Sequence, residues 1–193
     1  MTDDLLAIPI HMADRVRALL PTVTLARYQR FLDHMVHYTR GSEARLLHAA
    51  AHAPAPLQPY FRELAADERG HYRLAEADLA AFGLTATQAP LAAVEAFDRA
   101  WRDFTAPGWL GALFALESVA QHIAADAAHH LARLALAKDQ ARFVFVHLQA
   151  DVEHGGDAAA HVAALGASDR AIALAAARVA GAFWIELHVQ ALA

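Results

Sequence analysis

FVFVHLQADVEHGG, residues 143–156, sets His147, Asp151 and His154 at positions i, i+4 and i+7. On an α-helix that spacing brings two imidazoles and a carboxylate onto one face. Around them lie an apolar lead-in and alanines, surroundings in which an unpaired polar group is costly to bury. The stretch therefore predicts a helix whose inward face carries chemistry.

Two further groups extend this reading. Glu68 and His71 stand i, i+3 apart in ELAADERGHYRLAEADLAAFG (63–83), and Glu117 is the lone charge in WLGALFALESVA (109–120). The six side chains together supply three carboxylates and three imidazoles, a donor set suited to non-haem iron. Helical bundles present such donors from facing helices, and Glu-x-x-His is a spacing used by di-iron carboxylate proteins. A glutamate buried at position 117 needs a cation, a strong hydrogen bond or a proton. Each group also has a plainer reading: a wet helical face for Glu68 and His71, a satisfied imidazole network for 147–154, and an internal salt bridge for Glu117. One metal centre uses all three groups, whereas the plainer readings need a separate explanation for each.

The chain has 13 histidines, so not every cluster carries the same weight. Asp126, His129 and His130 are expected in solvent near a helix end. Asp157 and His161 continue the His154 face and are candidates for orienting a ligand, with a surface position the simpler expectation. Glu153 is expected to point away from that face. His34, His37 and Tyr38 fall on an earlier helix, where contact with a pocket does not require them to bind metal.

At 193 residues the chain suits one domain with a substantial core. Hydrophobic residues make up 57% of it, much of that alanine, the strongest helix former. The net charge of −5 and the scattered arginines give no basic stripe for nucleic acid. Without cysteine there are no disulfides, cysteine-ligated iron–sulfur clusters or thiolate nucleophiles. Asp3 and Asp4 argue against an export signal, and charges such as Glu117 and Arg178 are expected to interrupt the apolar stretches before they span a bilayer. A cytoplasmic location is the expectation.

The periodicity predicts an all-α bundle of seven helices. The first covers Leu5 to Leu20. The second starts near Thr24 and bends around Gly41 and Ser42. The third runs from Pro59 to Phe82, capped by Gly83 and kinked beside Gly70. The others span Pro90 to the Thr105 turn, Trp109 to Ala137, Gln140 to Leu165, and Asp169 to Leu192, the last with Ser168 as its N-cap. The β-prone runs Val23–Leu25 and Phe143–Val146 pass directly into helical patterning.

With these residues in view, the chain resembles the haem-oxygenase-like di-iron oxidases and oxygenases, a group of iron-containing redox enzymes. The similarity runs through HYTRGSEARLLHAA (37–50), the Glu68 and Glu117 stretches, and HLQADVEHGG (147–156), over roughly residues 24–165. The resemblance implies a single compact haem-oxygenase-like helical domain. It also implies that Glu68, His71, Glu117, His147, Asp151 and His154 are the catalytic metal ligands, holding two Fe(II) ions, with Mn an alternative occupant. Glu63 and Asp67 precede Glu68, and a register using either would change the spacing to His71. The implied activity is oxidation of a small organic substrate by dioxygen, a fatty acid, amine or amino-acid derivative being the class. An external electron donor and a homodimer are compatible with it. Phe114, Phe143 and Phe145 are candidates for an apolar pocket wall. Two other functions compete. A haem-binding haem oxygenase would need a proximal histidine from His11, His34 or His37, and would leave the 147–154 array without a role. A metal-free helical protein, acting as a cofactor-independent oxidase or an interaction module, is the other.

Overall fold

Ten α-helical segments follow one another, with no strand among the described residues: α1 (Asp3–Arg17), α2 (Leu25–Arg40), α3 (Ser42–His52), α4 (Gln58–Asp67), α5 (Tyr72–Ala81), α6 (Ala92–Asp103), α7 (Ala106–Ser118), α8 (Ala120–Ala132), α9 (Arg142–Ala163) and α10 (Ala167–Leu192). They are those of a computed structural model that describes residues 3–89 and 91–193, without the side chains of Val152 and Glu153. The expectations for Glu153 and for a helix start at Pro90 thus lie outside the described residues. Three breaks turn the seven predicted helices into ten segments, at Gly41, over Glu68–His71, and at Val119.

Each break has a local cause. Gly70 adopts φ +79°, a left-handed conformation that a glycine enters without penalty, and the chain turns there between α4 and α5. The predicted kink is therefore a full interruption. Gly41 caps α2, while Val119 keeps helical dihedrals and shifts the register between α7 and α8. Ser168 is not the N-cap of the last helix. Gly166 holds that position without a side-chain cap, and Ser168 lies inside α10.

The centre of the bundle is α7, where ten of thirteen residues, including Leu110, Leu113 and Phe114, are buried. It packs between α9 and α10, and α1, α2 and α6 close around α10. Close approach of α7 and α10 depends on Gly111, whose missing Cβ would lie 2.1 Å from the Ala173 carbonyl oxygen. Aromatic residues fill the layer around Phe97 and Phe183, whose rings stack 4.2 Å apart. Buried indole N–H groups are satisfied by backbone: Trp101 donates to the Arg45 carbonyl and Trp109 to the Trp101 carbonyl.

Helix α10 corrects one expectation from the sequence. Its 26 residues, with a mean hydropathy of 1.5 over the most apolar window, are long and apolar enough to cross a membrane by length and composition. Packing accounts for part of that character, since Ala173, Ala177, Ala180, Phe183 and Leu187 are buried against neighbouring helices.

Candidate metal centre

Six donors from three parts of the chain meet in the interior. Glu68 and His71 come from the turn between α4 and α5, Glu117 from the last turn of α7, and His147, Asp151 and His154 from α9. They fall into two triads, Glu68–His71–His147 and Glu117–Asp151–His154, in each of which one ligand atom per residue lies within 4.8 Å of the others. Every residue predicted for the site is thus brought to it. Between Glu68 and the alternatives Glu63 and Asp67 the structure distinguishes clearly: Glu68 is buried and the other two are exposed. Asp67 stands beside the centre, its Oδ2 3.7 Å from His154 Nε2.

The α9 donors are held from outside the site. His147 Nδ1 donates to the Phe143 carbonyl at 2.8 Å, which puts the proton on Nδ1 and leaves the Nε2 lone pair facing the cluster. That Nε2 is buried without a hydrogen-bond partner, and burial also keeps His147 neutral by pushing its pKa down. One residue earlier in the same chain of contacts, Asp78 on α5 accepts from the Phe143 N–H at 2.8 Å and caps the otherwise uncapped N-terminus of α9. Asp78 is fully buried, its carboxyl pushed up by burial against the pull of the Phe143 N–H. Replacing it with alanine is expected to cost about 2 kcal/mol and to weaken metal binding, because the cap and the His147 rotamer both depend on the backbone of Phe143. Urea unfolding and a metal titration check both effects.

The remaining geometry matches donors awaiting a cation. His71 Nδ1 lies 3.1 Å from Glu68 Oε1, and its ring meets that of His147 edge-on at 4.9 Å. The bonded Glu68 carboxylate raises the pKa of His71. Burial pushes Glu68 the other way, but the hydrogen bond and charge of His71 outweigh it and hold Glu68 low. A metal ion there would displace the proton that the two share. His154 Nδ1 and Glu117 Oε2 are 3.6 Å apart, too far for a hydrogen bond. Two donors each about 2.1 Å from one first-row ion would be separated by roughly that amount. Nearby Glu117 raises the pKa of His154, whereas burial and then the charge of Glu68 raise that of Glu117. Asp151 is pushed well above the usual carboxylate range by burial, Glu117 and Glu68. A divalent cation would relieve this crowding directly.

Backbone packing brings the two halves of the second triad together. Gly155 follows His154 at the crossing with α7, where a Cβ would meet the Glu117 carbonyl oxygen at 3.2 Å. The pair of glycines closing HLQADVEHGG therefore includes one whose small size the site needs.

A cavity of about 170 Å³ opens beside the donors, with Glu68, Glu117, His147 and Asp151 in its wall. The rest is largely apolar, including Phe31, Leu113, Leu116, Phe143 and Leu148. Of the three candidate phenylalanines only Phe143 lines it: Phe114 is buried elsewhere and Phe145 is 52% exposed. His11, His34 and His37, the histidines that a haem would need, do not line it. Asp126 pairs with Arg17 at 2.7 Å, and His161 packs on the ring of Tyr60 at 4.4 Å, so neither joins the centre.

Sequence reading overlooked His188, on the cavity wall beside α2. It is buried, its Nδ1 donates to the Trp184 carbonyl at 2.8 Å, and burial lowers its pKa to about 4. A lone histidine within alanine-rich helix gives no signal of this kind. Since its folded pKa lies below the ordinary 6.5, its stabilising contribution is complete above that value and is lost as pH falls toward 4. Between pH 7 and 4.5 the loss is about 2–3 kcal/mol. Urea unfolding at the two pH values should show a correspondingly smaller loss in His188→Gln. Parallel losses in both proteins would refute this assignment.

The sequence profile of the iron-containing redox enzymes matches residues 29–185. The chain belongs to that family. Its fold is haem-oxygenase-like, as in a domain of unknown function from Shewanella denitrificans OS217, with TM-score 0.82, 16% identity, and 97% of this chain and 88% of that one covered. A TenA homologue from P. horikoshii OT3 superposes with TM-score 0.78 at 18% identity, covering 98% and 94% of the two chains. A CADD-like protein of unknown function from Nostoc punctiforme PCC 73102 gives 0.68 at 19% identity, covering 93% and 88%. These similarities are of fold. A search of curated proteins found none similar in sequence.

Proposed function

We propose that this member of the iron-containing redox enzymes is a non-haem di-iron oxidase or oxygenase that uses dioxygen to oxidise a small organic substrate. The carrying observation is the division of six buried or partly buried donors into two triads, with Glu68, Glu117, His147 and Asp151 on the wall of one largely apolar cavity. Glu68, His71 and His147 have the two-histidine, one-carboxylate composition associated with oxygen-activating ferrous iron. Glu117, Asp151 and His154 supply a second, more acidic position. A single divalent ion leaves the three carboxylates with excess negative charge in a buried space, and two ions remove it.

When bound, the iron pair supplies the electrons that reduce dioxygen and the oxidising power that is passed to substrate. The chain performs the remaining tasks. Its carboxylates compensate the charge of the ions, and the Phe143 carbonyl holds the His147 tautomer. Leu113, Leu116 and Leu148 keep bulk water from the reacting space. A fatty acid, an amine or an amino-acid derivative is the substrate class, and an oxygenase cycle draws on an external electron donor.

The test is oxygen uptake by anaerobically loaded ferrous protein on mixing with aerated buffer, against the same ferrous concentration without protein. The account expects rapid uptake and an accompanying absorbance change, both absent from His147→Ala. Uptake no faster than that of free ferrous ion would overturn it.

A further inference from the structure

Away from the metal donors, His188 offers the cavity a nitrogen acceptor. The Tyr28 hydroxyl donates to the Gln140 carbonyl, the Thr39 hydroxyl to the Met35 carbonyl, and Arg45 to Asp98 and the Tyr38 carbonyl. His188 spends its one N–H on the Trp184 carbonyl of its own helix. Its Nε2 is therefore a lone-pair acceptor, directed away from the α10 backbone and without a protein partner among the described residues. The ring is fixed in place by Trp184, whose centroid lies 3.8 Å away, and by Phe31 at 5.5 Å. Phe31 in turn meets Phe143 at 6.3 Å, and Phe143 meets His147 at 4.0 Å. A chain of ring contacts thus runs from His188 through Phe31 and Phe143 to His147, and all four line the same cavity.

We propose that His188 Nε2 is the anchor for a hydrogen-bond donor, a hydroxyl or N–H group, on the substrate, and that it sets which part of the molecule faces the metal centre. The inference deepens the proposed oxidase function and rests on it for the word substrate. The cavity, at about 170 Å³, is similar to apolar cavities of about 150 Å³ that admit benzene. The ligand is accordingly compact and mostly apolar, with roughly six to ten non-hydrogen atoms. A cavity-wall acceptor with a fixed orientation discriminates against a ligand that cannot donate, because such a ligand displaces water and leaves the nitrogen unpaired. His188 stays neutral through the physiological range, so this discrimination does not require a charged ligand.

Phenol and toluene are matched probes, equal in heavy-atom count and different in the donor. Their affinities are measured by calorimetry on the full chain after chelation, where phenol has no metal ion to bind. The quantity read is the ratio of phenol to toluene affinity, which cancels the different hydrophobicities of the probes when variants are compared. His188→Leu should lower that ratio about tenfold. His188→Gln, which retains an acceptor of similar reach, should hold it within about twofold of the parent. A structural role alone would alter both affinities together and leave the ratio unchanged. An unchanged ratio in His188→Leu overturns the proposal, as does failure of the parent to bind either probe. Should His188→Leu fail to fold, a tenfold fall in the ratio in His188→Phe supports the anchor and an unchanged ratio overturns it. Ferrous ion counted separately on the parent tests the metal centre, so a failed di-iron reading and a failed anchor give different results.

Discussion

Gly111→Ala is expected to destabilise the fold by about 3 kcal/mol or more. The added Cβ would stand 2.1 Å from the Ala173 oxygen, 2.5 Å from its carbonyl carbon and 2.6 Å from its Cα. All three are backbone atoms, so relief requires α7 and α10 to move apart along the central contact of the bundle. For a chain of this length the thermal midpoint should fall by roughly 10 °C. Gly156→Ala is the matched control. Gly156 lies inside α9 with nothing within 4 Å of an added Cβ, and alanine there should stabilise by about 0.5–1 kcal/mol. Thermal unfolding of the two variants should therefore shift in opposite directions. A similar small change in both would mean that the α7–α10 crossing is not as close as described.

Asp151→Asn is expected to have opposite effects on stability and on metal binding. In metal-free protein Asp151 lies in a desolvated space beside the carboxylates of Glu117 and Glu68, and burial and both charges disfavour its own. Removing one carboxylate relieves that crowding, so the chelated variant should be more stable by about 1 kcal/mol or more at neutral pH. The same change removes a donor and a compensating charge from the second triad, and metal affinity should fall by at least a factor of ten. Thermal unfolding with chelator and again with ferrous ion separates the two effects. The parent should gain much more stability from metal than the variant. If the asparagine destabilises the metal-free chain, the carboxylates serve a structural network rather than a cation site.

Much of this centre was legible because its donors sit at short, regular intervals. His147, Asp151 and His154 declare their shared face by helical spacing, and Glu117 declares its burial by the apolar run around it. The bundle and most of its helices follow from the same periodicity, and Gly41 and Gly70 mark two of the three breaks. The third, at Val119, carries no glycine or proline and stays in helical dihedrals, so composition gives no hint of it. Asp78 was hidden for a different reason. Its partner, the Phe143 N–H, is 65 residues away, and until α5 meets α9 it reads as one more polar residue on an amphipathic helix. His188 was obscured by the number of other histidines, since only the packed α2–α10 contact puts its ring on the cavity wall. The apolar length of α10 runs past the charges that were expected to interrupt it, because charges such as Arg178 are too sparse to break a run rich in alanine, valine and leucine.

Ferrous ion counted on the chain tests the two-triad centre most directly. The protein is stripped with chelator and titrated anaerobically with Fe(II), and bound metal is measured after removal of the excess. Two adjacent triads predict saturation near two ions per chain, with fewer bound to both His147→Ala and Glu117→Ala because each variant breaks a different triad. Saturation at one ion, no saturable binding, or the same binding in the parent and both variants would contradict that account.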